Sequence, residues 1–319
     1  MLRSDNSAGQ RVLLVTRISG LEQELRGRQL PGIELVRTKT AEDTNQAITQ
    51  AEVVVADPAL VAPHLDRAAK LKWLQSTYAG VDSLFQDSSR RDYQLTRIKG
   101  VFGPMMAEYV LAHILARERH LLEVARQQQA RKWQRAVYRQ LSDLTLGILG
   151  VGDIGSAVAR AAGAFGMTVW GLRTRSEPVS GVERVFTPER LDEFLAGPDY
   201  LVNILPSTPD TRGLLSGATL DKCRPSAVFI NIGRGDIIDE ASLVRSVEQG
   251  WITGAVLDVF PDEPLPEDSP LWSMPGVTIT PHVAALSLPG PITDVFEANL
   301  TRHQAGQPLL HLVEWGRGY

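Results

Sequence analysis

Short runs of β-branched and aliphatic residues recur along the first hundred positions: RVLLVT (11–16), IELVRT (33–38), AEVVVAD (51–57) and LKWLQST (71–77). Each is followed by a polar or helix-favouring stretch, and that alternation predicts βα units built round a parallel sheet. A second block repeats the pattern with LTLGILGV (144–151), MTVWGLR (167–173), YLVNILP (200–206), AVFINIG (227–233), GAVLDVF (254–260) and VTITP (277–281). Runs that stay apolar throughout predict strands covered on both faces, as in a doubly wound sheet. Between the blocks, Met106, Tyr109, Val110, His113, Ile114 and Arg117 recur at helical spacing. Pro104 suits a helix start, where a missing N–H costs nothing. One helix from about Pro104 to Ala136 is therefore expected, and a last helix from Pro291 to about Gln304 is expected to return to the first block.

The first chemistry in this pattern is GVGDIG at 150–155, which follows the apolar strand LTLGIL and opens the small-residue helix SAVARAAGAFG. That context turns a weak glycine motif into a dinucleotide site. Gly150 permits the tight turn, Gly152 lets the backbone approach a pyrophosphate, and Gly155 lets helix and strand pack closely. Asp153 and Ile154 complete the segment. The helix N-terminus offers unpaired N–H groups and partial positive charge to phosphate.

The end of the next strand reads WGLRTRSE. NAD-selective sites usually carry Asp or Glu there, to bind the ribose 2′-hydroxyl. Arg173 stands in that place, followed by Thr174, Arg175 and Ser176. Two guanidiniums and two hydroxyls suit a 2′-phosphate through charge-assisted hydrogen bonds, so NADP(H) is expected over NAD(H).

Three later segments lie just past apolar strands: INIGRGDIIDE with Arg234, GAVLDVFPDEPL with Asp258 and Glu263, and TPHVAALS with His282. In an open α/β sheet those strand ends line the ligand crevice. Taken singly, Arg234 could be a turn residue, Glu263 a surface acid and His282 a strand cap. Together with AGVD (79–82), LPSTPDTRGLL (205–215) and the ending WGRGY, they make the chain resemble the D-2-hydroxyacid dehydrogenases over essentially its whole length. Arg173 and the closing segment are most similar to the NADPH-linked glyoxylate/hydroxypyruvate reductases of that family.

The resemblance implies an enzyme that reduces a small 2-oxo acid to the D-2-hydroxy acid. His282 would be the proton donor, Glu263 would hold and charge its imidazole, and Arg234 would bridge carboxylate and carbonyl. The family's carboxylate-binding loop maps to Ala79 and Gly80. The cofactor groove would comprise Gly150, Gly152, Asp153, Ile154, Gly155, Arg173, Thr174, Arg175, Pro206, Ile232 and Asp258. Asp258 is expected either near the nicotinamide or as support for the strand end, not as the acid–base partner.

The fold class that follows is α/β, with two Rossmann-like domains, each on a parallel sheet. The fingerprint lies near mid-chain, so a discontinuous, flavodoxin-like substrate domain is expected over 1–99 and 288–319, with the NAD(P)-binding domain over 100–287 and the active site in the cleft between them. Members of the family are commonly homodimers built through the nucleotide domain, and the same is expected here. Trp133 is expected to pack between domains, and Tyr78, Met105 and Met106 are candidates to shape the pocket.

Composition narrows the alternatives. The 319 residues are 43% hydrophobic and 22% charged, with a formal net charge of −4, so no nucleic-acid or anionic-membrane partner is indicated. No apolar run approaches the roughly 20 residues of a membrane span. The polar start MLRSDNSAGQ lacks the apolar core of a secretory signal. Cys223 is the single cysteine, which excludes an internal disulfide and favours a reducing, cytoplasmic setting. His113 and His120, seven apart on the expected long helix, suit a domain interface better than a metal, His64, His303 and His311 show no ligand spacing, and no metal is expected. A sugar-acid reductase acting on 2-ketogluconate, and a dinucleotide-sensing protein like the C-terminal-binding corepressor, are the competing readings.

Overall fold

The computed structural model describes residues 9–86 and 90–316. The chain forms two compact units, Met1–Val101 with Ser287–Tyr319, and Phe102–Leu286.

The first unit is a five-stranded sheet: β1 (Gln10–Val15), β2 (Ile33–Arg37), β3 (Val53–Ala56), β4 (Trp73–Ser76) and β5 (Gln94–Thr96). The order is β2-β1-β3-β4-β5 and every pairing is parallel, the order of flavodoxin-like sheets. Leu13, Val15, Val54, Ala56 and Leu74 fill one core. The helix Pro289–Gln304 returns to this unit, begun by a proline in its first turn. Its Phe296 stacks on Trp73 at 5.4 Å between ring centroids. Its buried Asn299 donates to Gln75 Oε1 (3.1 Å), which also accepts from Thr96 Oγ1 (2.8 Å). Buried amides must be paired, so this network fixes where the returning segment sits on β4 and β5.

The second unit is a seven-stranded sheet: β6 (Thr145–Leu149), β7 (Thr168–Leu172), β8 (Arg184–Phe186), β9 (Tyr200–Asn203), β10 (Val228–Asn231), β11 (Gly254–Leu257) and β12 (Val277–Ile279). The order is β12-β11-β10-β9-β6-β7-β8, again all parallel. Alternate residues point into two separate cores. Ile148, Val202, Ile230 and Val256 enter one, and Leu149, Leu201, Phe229 and Leu257 enter the other. This is why the strands read as unbroken apolar runs. The order reverses between β6 and β9, and such a switch point opens a crevice at the carboxyl edge.

One expected element is different. In place of a single helix over 104–136, the chain forms Gly103–Glu118 and Leu121–Gln129, broken at His120, whose φ is +51°. The break has a physical cause. Glu118 is buried and needs a cation. Arg139 folds back to supply one, donating to both Glu118 oxygens (2.6 and 3.2 Å) and to buried Asp199 (3.0 Å). Tyr200 donates to the same carboxylate (2.6 Å). The guanidinium of Arg119 over the Tyr138 ring (4.0 Å) and His120 Nε2 against Val137 O (2.9 Å) complete the fold-back. Trp133, expected between domains, is 97% exposed and Val137 94%, so neither side chain enters the core of its own unit. No helix among the described residues is long and apolar enough to cross a membrane.

Candidate active site

The carboxyl edge of the seven-stranded sheet gathers most of the singled-out residues. After β6, Gly150 takes φ +98°, and its N–H donates to Leu172 O (2.9 Å), tying the turn to the end of β7. The helix Asp153–Ala164 starts at Gly152 and packs so close that a Cβ on Gly155 would strike the Gly150 carbonyl. A Cβ on Gly152 would meet nothing within 4 Å, so the turn is open on the side where phosphates approach. Asp153 is exposed in the helix's first turn and Ile154 is half-buried. Arg173 leaves the end of β7, half-buried, with its N–H on Phe186 O (3.0 Å); Thr174 and Arg175 are exposed. Neither guanidinium forms an ion pair among the described residues. Pro206 and Ile232 follow β9 and β10 on the same edge. These residues fit an extended dinucleotide: an anion-binding helix start, an open glycine turn, and unpaired cations at the neighbouring strand end.

Arg234, Glu263 and His282 follow the adjacent strands β10, β11 and β12. Adjacent strands lie about 4.8 Å apart, which puts all three within reach of one patch. His282 Nδ1 is 2.8 Å from Glu263 Oε2, and the other carboxylate oxygen accepts from Phe260 N–H (2.9 Å). That hydrogen bond, with the carboxylate's charge, raises the His282 pKa above its ordinary value; burial and the Arg234 charge act the other way. Burial opposes ionisation of Glu263, but the hydrogen bonds from His282 and Phe260, with the charges of His282 and Arg234, hold its pKa below the usual range. The guanidinium of Arg234 is thus near enough to act on both members of the pair. Its loop is pressed against theirs: a Cβ on Gly235 would overlap the backbone of Phe260 and Pro261. Arg234 itself is half-buried, its Nη1 on Gly233 O (2.7 Å), and Asn231 holds its carbonyl (3.0 Å).

His282 has φ +54°, a left-handed conformation rare for a residue with a side chain. Asp258, buried at the end of β11, holds it there. The main-chain oxygen of Asp258 accepts from His282 N–H (2.9 Å). One carboxylate oxygen accepts from Val283 N–H (2.8 Å) and Thr280 Oγ1 (2.6 Å), the other from Ala284 N–H (2.8 Å). Both oxygens are thereby engaged in supporting the histidine turn.

In the other unit, Ala79 and Gly80 follow β4, half-buried. Their N–H groups donate no hydrogen bond among the described residues. Buried Asp57 organises that edge, accepting from Thr16 (2.7 Å), Arg17 N–H (2.8 Å) and Thr77 (2.6 Å). Tyr78 beside them is 41% exposed, and Met106 packs on the core of its own unit. His64 meets Asn45 and His303 meets Gln10 and Trp73. No group of three or more candidate metal ligands occurs among the described residues.

Two arrangements had no separate signal in the chain. Ser207, Arg212 and Asp236 clasp one another (Ser207 Oγ to Asp236 2.5 Å, Arg212 Nε to Asp236 3.2 Å), joining the loop after β9 to the loop of Arg234. Tyr109, from the helix Gly103–Glu118, reaches Thr280 (2.6 Å), two residues before His282. Single hydroxyls in apolar segments carry no pattern; only the position of Thr280 two residues before His282 hinted at a supporting part.

A family model described as D-isomer specific 2-hydroxyacid dehydrogenase, NAD binding domain, matches residues 111–284. The chain is 36% identical over 257 residues to glyoxylate/hydroxypyruvate reductase A of Yersinia enterocolitica, covering 78% of this chain and 82% of that protein. A crystal structure of a D-isomer specific 2-hydroxyacid dehydrogenase family protein from Aeromonas salmonicida is similar with a TM-score of 0.90 and 39% identity, over 97% of this chain and 100% of that one. The NADPH-dependent glyoxylate/hydroxypyruvate reductase of Sinorhizobium meliloti, in complex with NADP and sulfate, is similar with a TM-score of 0.88 and 31% identity, over 97% and 100% of the two chains.

Proposed function

The chain belongs to the D-isomer specific 2-hydroxyacid dehydrogenase family, and from that premise we propose that it is an NADPH-dependent reductase of glyoxylate- and hydroxypyruvate-type 2-oxo acids. The observation that carries this reading is the Glu263–His282 pair, 2.8 Å apart, under the electrostatic influence of Arg234 at one sheet edge. A dihydronicotinamide cofactor held along that edge by the GVGDIG turn and Arg173 would supply the hydride for C2 of the substrate. His282 gives its proton from Nε2 to the carbonyl oxygen, while Nδ1 stays on Glu263, which favours the protonated ring. Arg234 neutralises the carboxylate and polarises the carbonyl with its planar fork of donors. We assign further carboxylate binding to the N–H groups of Ala79 and Gly80.

The preference for NADPH rests on Arg173 and Arg175, whose charge suits the 2′-phosphate, and on the NADP held by the Sinorhizobium relative. The reading includes a homodimer formed through the nucleotide-binding unit, supported by the exposed Leu121, Leu122 and Trp133 of its fold-back segment. It also includes a cytoplasmic setting, in keeping with a lone buried thiol whose pKa burial pushes up to about 12.

The test is a panel of glyoxylate, hydroxypyruvate, pyruvate and 2-ketogluconate, each run with NADPH and NADH. Glyoxylate and hydroxypyruvate with NADPH are expected to give the highest kcat/KM, and Arg173→Asp to lose the NADPH preference. Turnover confined to 2-ketogluconate would transfer the assignment to sugar acids, and no turnover on any acid would overturn it.

A further inference from the structure

Behind the catalytic histidine runs a line of hydroxyls that the reaction itself does not use. Asp258 Oδ1 accepts from Thr280 Oγ1 at 2.6 Å. A threonine hydroxyl has one proton, and this one is spent on the carboxylate. The 2.6 Å contact between Tyr109 and Thr280 is therefore a hydrogen bond donated by the tyrosine. The direction is set: Tyr109 O–H to Thr280 Oγ1 to Asp258, whose two oxygens then hold the N–H groups of Val283 and Ala284. Burial pushes the Tyr109 phenol up to about 12, so it keeps its proton across the working range. The ring of His113, one turn further along the same helix, covers Tyr109 at 4.5 Å between centroids.

We propose that Tyr109 and Thr280 are positioning residues for proton donation: they orient the Asp258 carboxylate, and through it hold His282 in its left-handed backbone with the imidazole aimed at the substrate. This rests on His282 being the proton donor. A left-handed non-glycine residue is held against a local preference for ordinary backbone and persists only where its surroundings over-determine it. The restraint here is a carboxylate accepting three hydrogen bonds, plus a main-chain bond from His282 N–H to Asp258 O (2.9 Å). Without the Thr280 hydroxyl, the carboxylate loses the side-chain donor that fixes its torsion. It can then swing, releasing Val283 and Ala284 and letting His282 relax. Tyr109 in turn fixes the Thr280 rotamer, from a helix whose neighbours Ala107, Val110 and Leu111 are buried in the core. The line thus anchors a strained turn to a rigid element.

The variants Thr280→Val, Thr280→Ser, Tyr109→Phe and the double variant Thr280→Val/Tyr109→Phe decide the matter, with kcat, KM, NADPH binding and the His282 imidazole NMR resonance as readouts. In Thr280→Val, kcat falls about tenfold, the scale of a sub-ångström misplacement of a catalytic group, while NADPH affinity is kept. Thr280→Ser restores most of kcat, because it restores the hydroxyl. Tyr109→Phe lowers kcat less, and adds nothing to Thr280→Val, since the phenol acts only through Thr280. The imidazole resonance moves or broadens in Thr280→Val and returns in Thr280→Ser. Unchanged kcat and resonance in Thr280→Val, equal damage in the Val and Ser variants, or full additivity in the double variant would each overturn the proposal. If Thr280→Val does not fold, Tyr109→Phe decides alone, and an unaltered kcat there overturns it. A wild-type protein that reduces no 2-oxo acid would remove the functional reading instead, leaving the resonance, which needs no turnover, to judge the positioning.

Discussion

His282 and Glu263 carry opposite pKa displacements that come from one hydrogen bond of 2.8 Å: the imidazole's is raised, the carboxyl's lowered. The sign has a direct reading in activity. With His282 as the proposed proton donor, reduction uses the protonated ring, so the reductive rate is expected to fall as pH rises through the raised histidine pKa, and oxidation of the hydroxy acid to gain over the same interval. Glu263→Gln removes the carboxylate charge and most of the displacement. The alkaline limb of the reductive kcat/KM profile is expected to move to lower pH, with kcat at neutral pH down by roughly 10- to 100-fold; an unmoved limb would remove Glu263 from this part. The same bond contributes to stability with the same sign. Its share from His282 is complete below the unfolded-state value of 6.5 and is lost as pH rises through the folded one. The side chains are half-exposed, so that share is small beside the effect on catalysis.

Among the elements, the decisive join is between the loops after β10 and β11, where Gly235 lies against the backbone of Phe260 and Pro261. Gly235→Ala forces these loops apart. A loss of about 1–3 kcal/mol is expected from overpacking, read from the denaturant midpoint, with a lower kcat/KM because Arg234 moves away from the Glu263–His282 pair. Full stability and activity in that variant would contradict the close approach. The join also shows what the chain made legible. The ten apolar runs read as strands are strands, because each is buried by two cores or one. Their ends were read up to three residues too long: Ile232, Val259 and Phe260 lie past the hydrogen-bonded ladders yet remain buried, so apolarity did not mark where pairing stops. The strands β5 and β8 lie among charged and polar neighbours (RRDYQLTRIKG and GVERVFTPE), so no apolar run marks them, whereas the equally short β12 lies in VTITP. GVGDIG was legible because its glycines are required by backbone contact. Thr280 and Tyr109 were not, because their partners come from segments 22 and 171 residues apart in the chain.

For the molecule as a whole, the fold-back segment carries the most exposed large apolar side chains among the described residues, Trp133 and Val137. Leu121, Leu122, Val124, Trp133 and Val137, all within seventeen positions of the unit Phe102–Leu286, are each exposed, a concentration of apolar side chains that suits an interface between copies. Sedimentation is expected to show a dimer, and Trp133→Glu to shift it toward monomer at micromolar concentration. A monomeric wild type would refute the assembly. The discontinuity of the first unit has a different consequence, for the order in which the chain takes shape during synthesis. Phe102–Leu286 holds every strand of its own sheet in one uninterrupted stretch, whereas the first unit lacks the helix Pro289–Gln304, with Phe296 and Asn299, until the chain has been made past the whole of the second. The later-translated Phe102–Leu286 is therefore the first that can close its core, and the strands made before it must wait for a helix made after it.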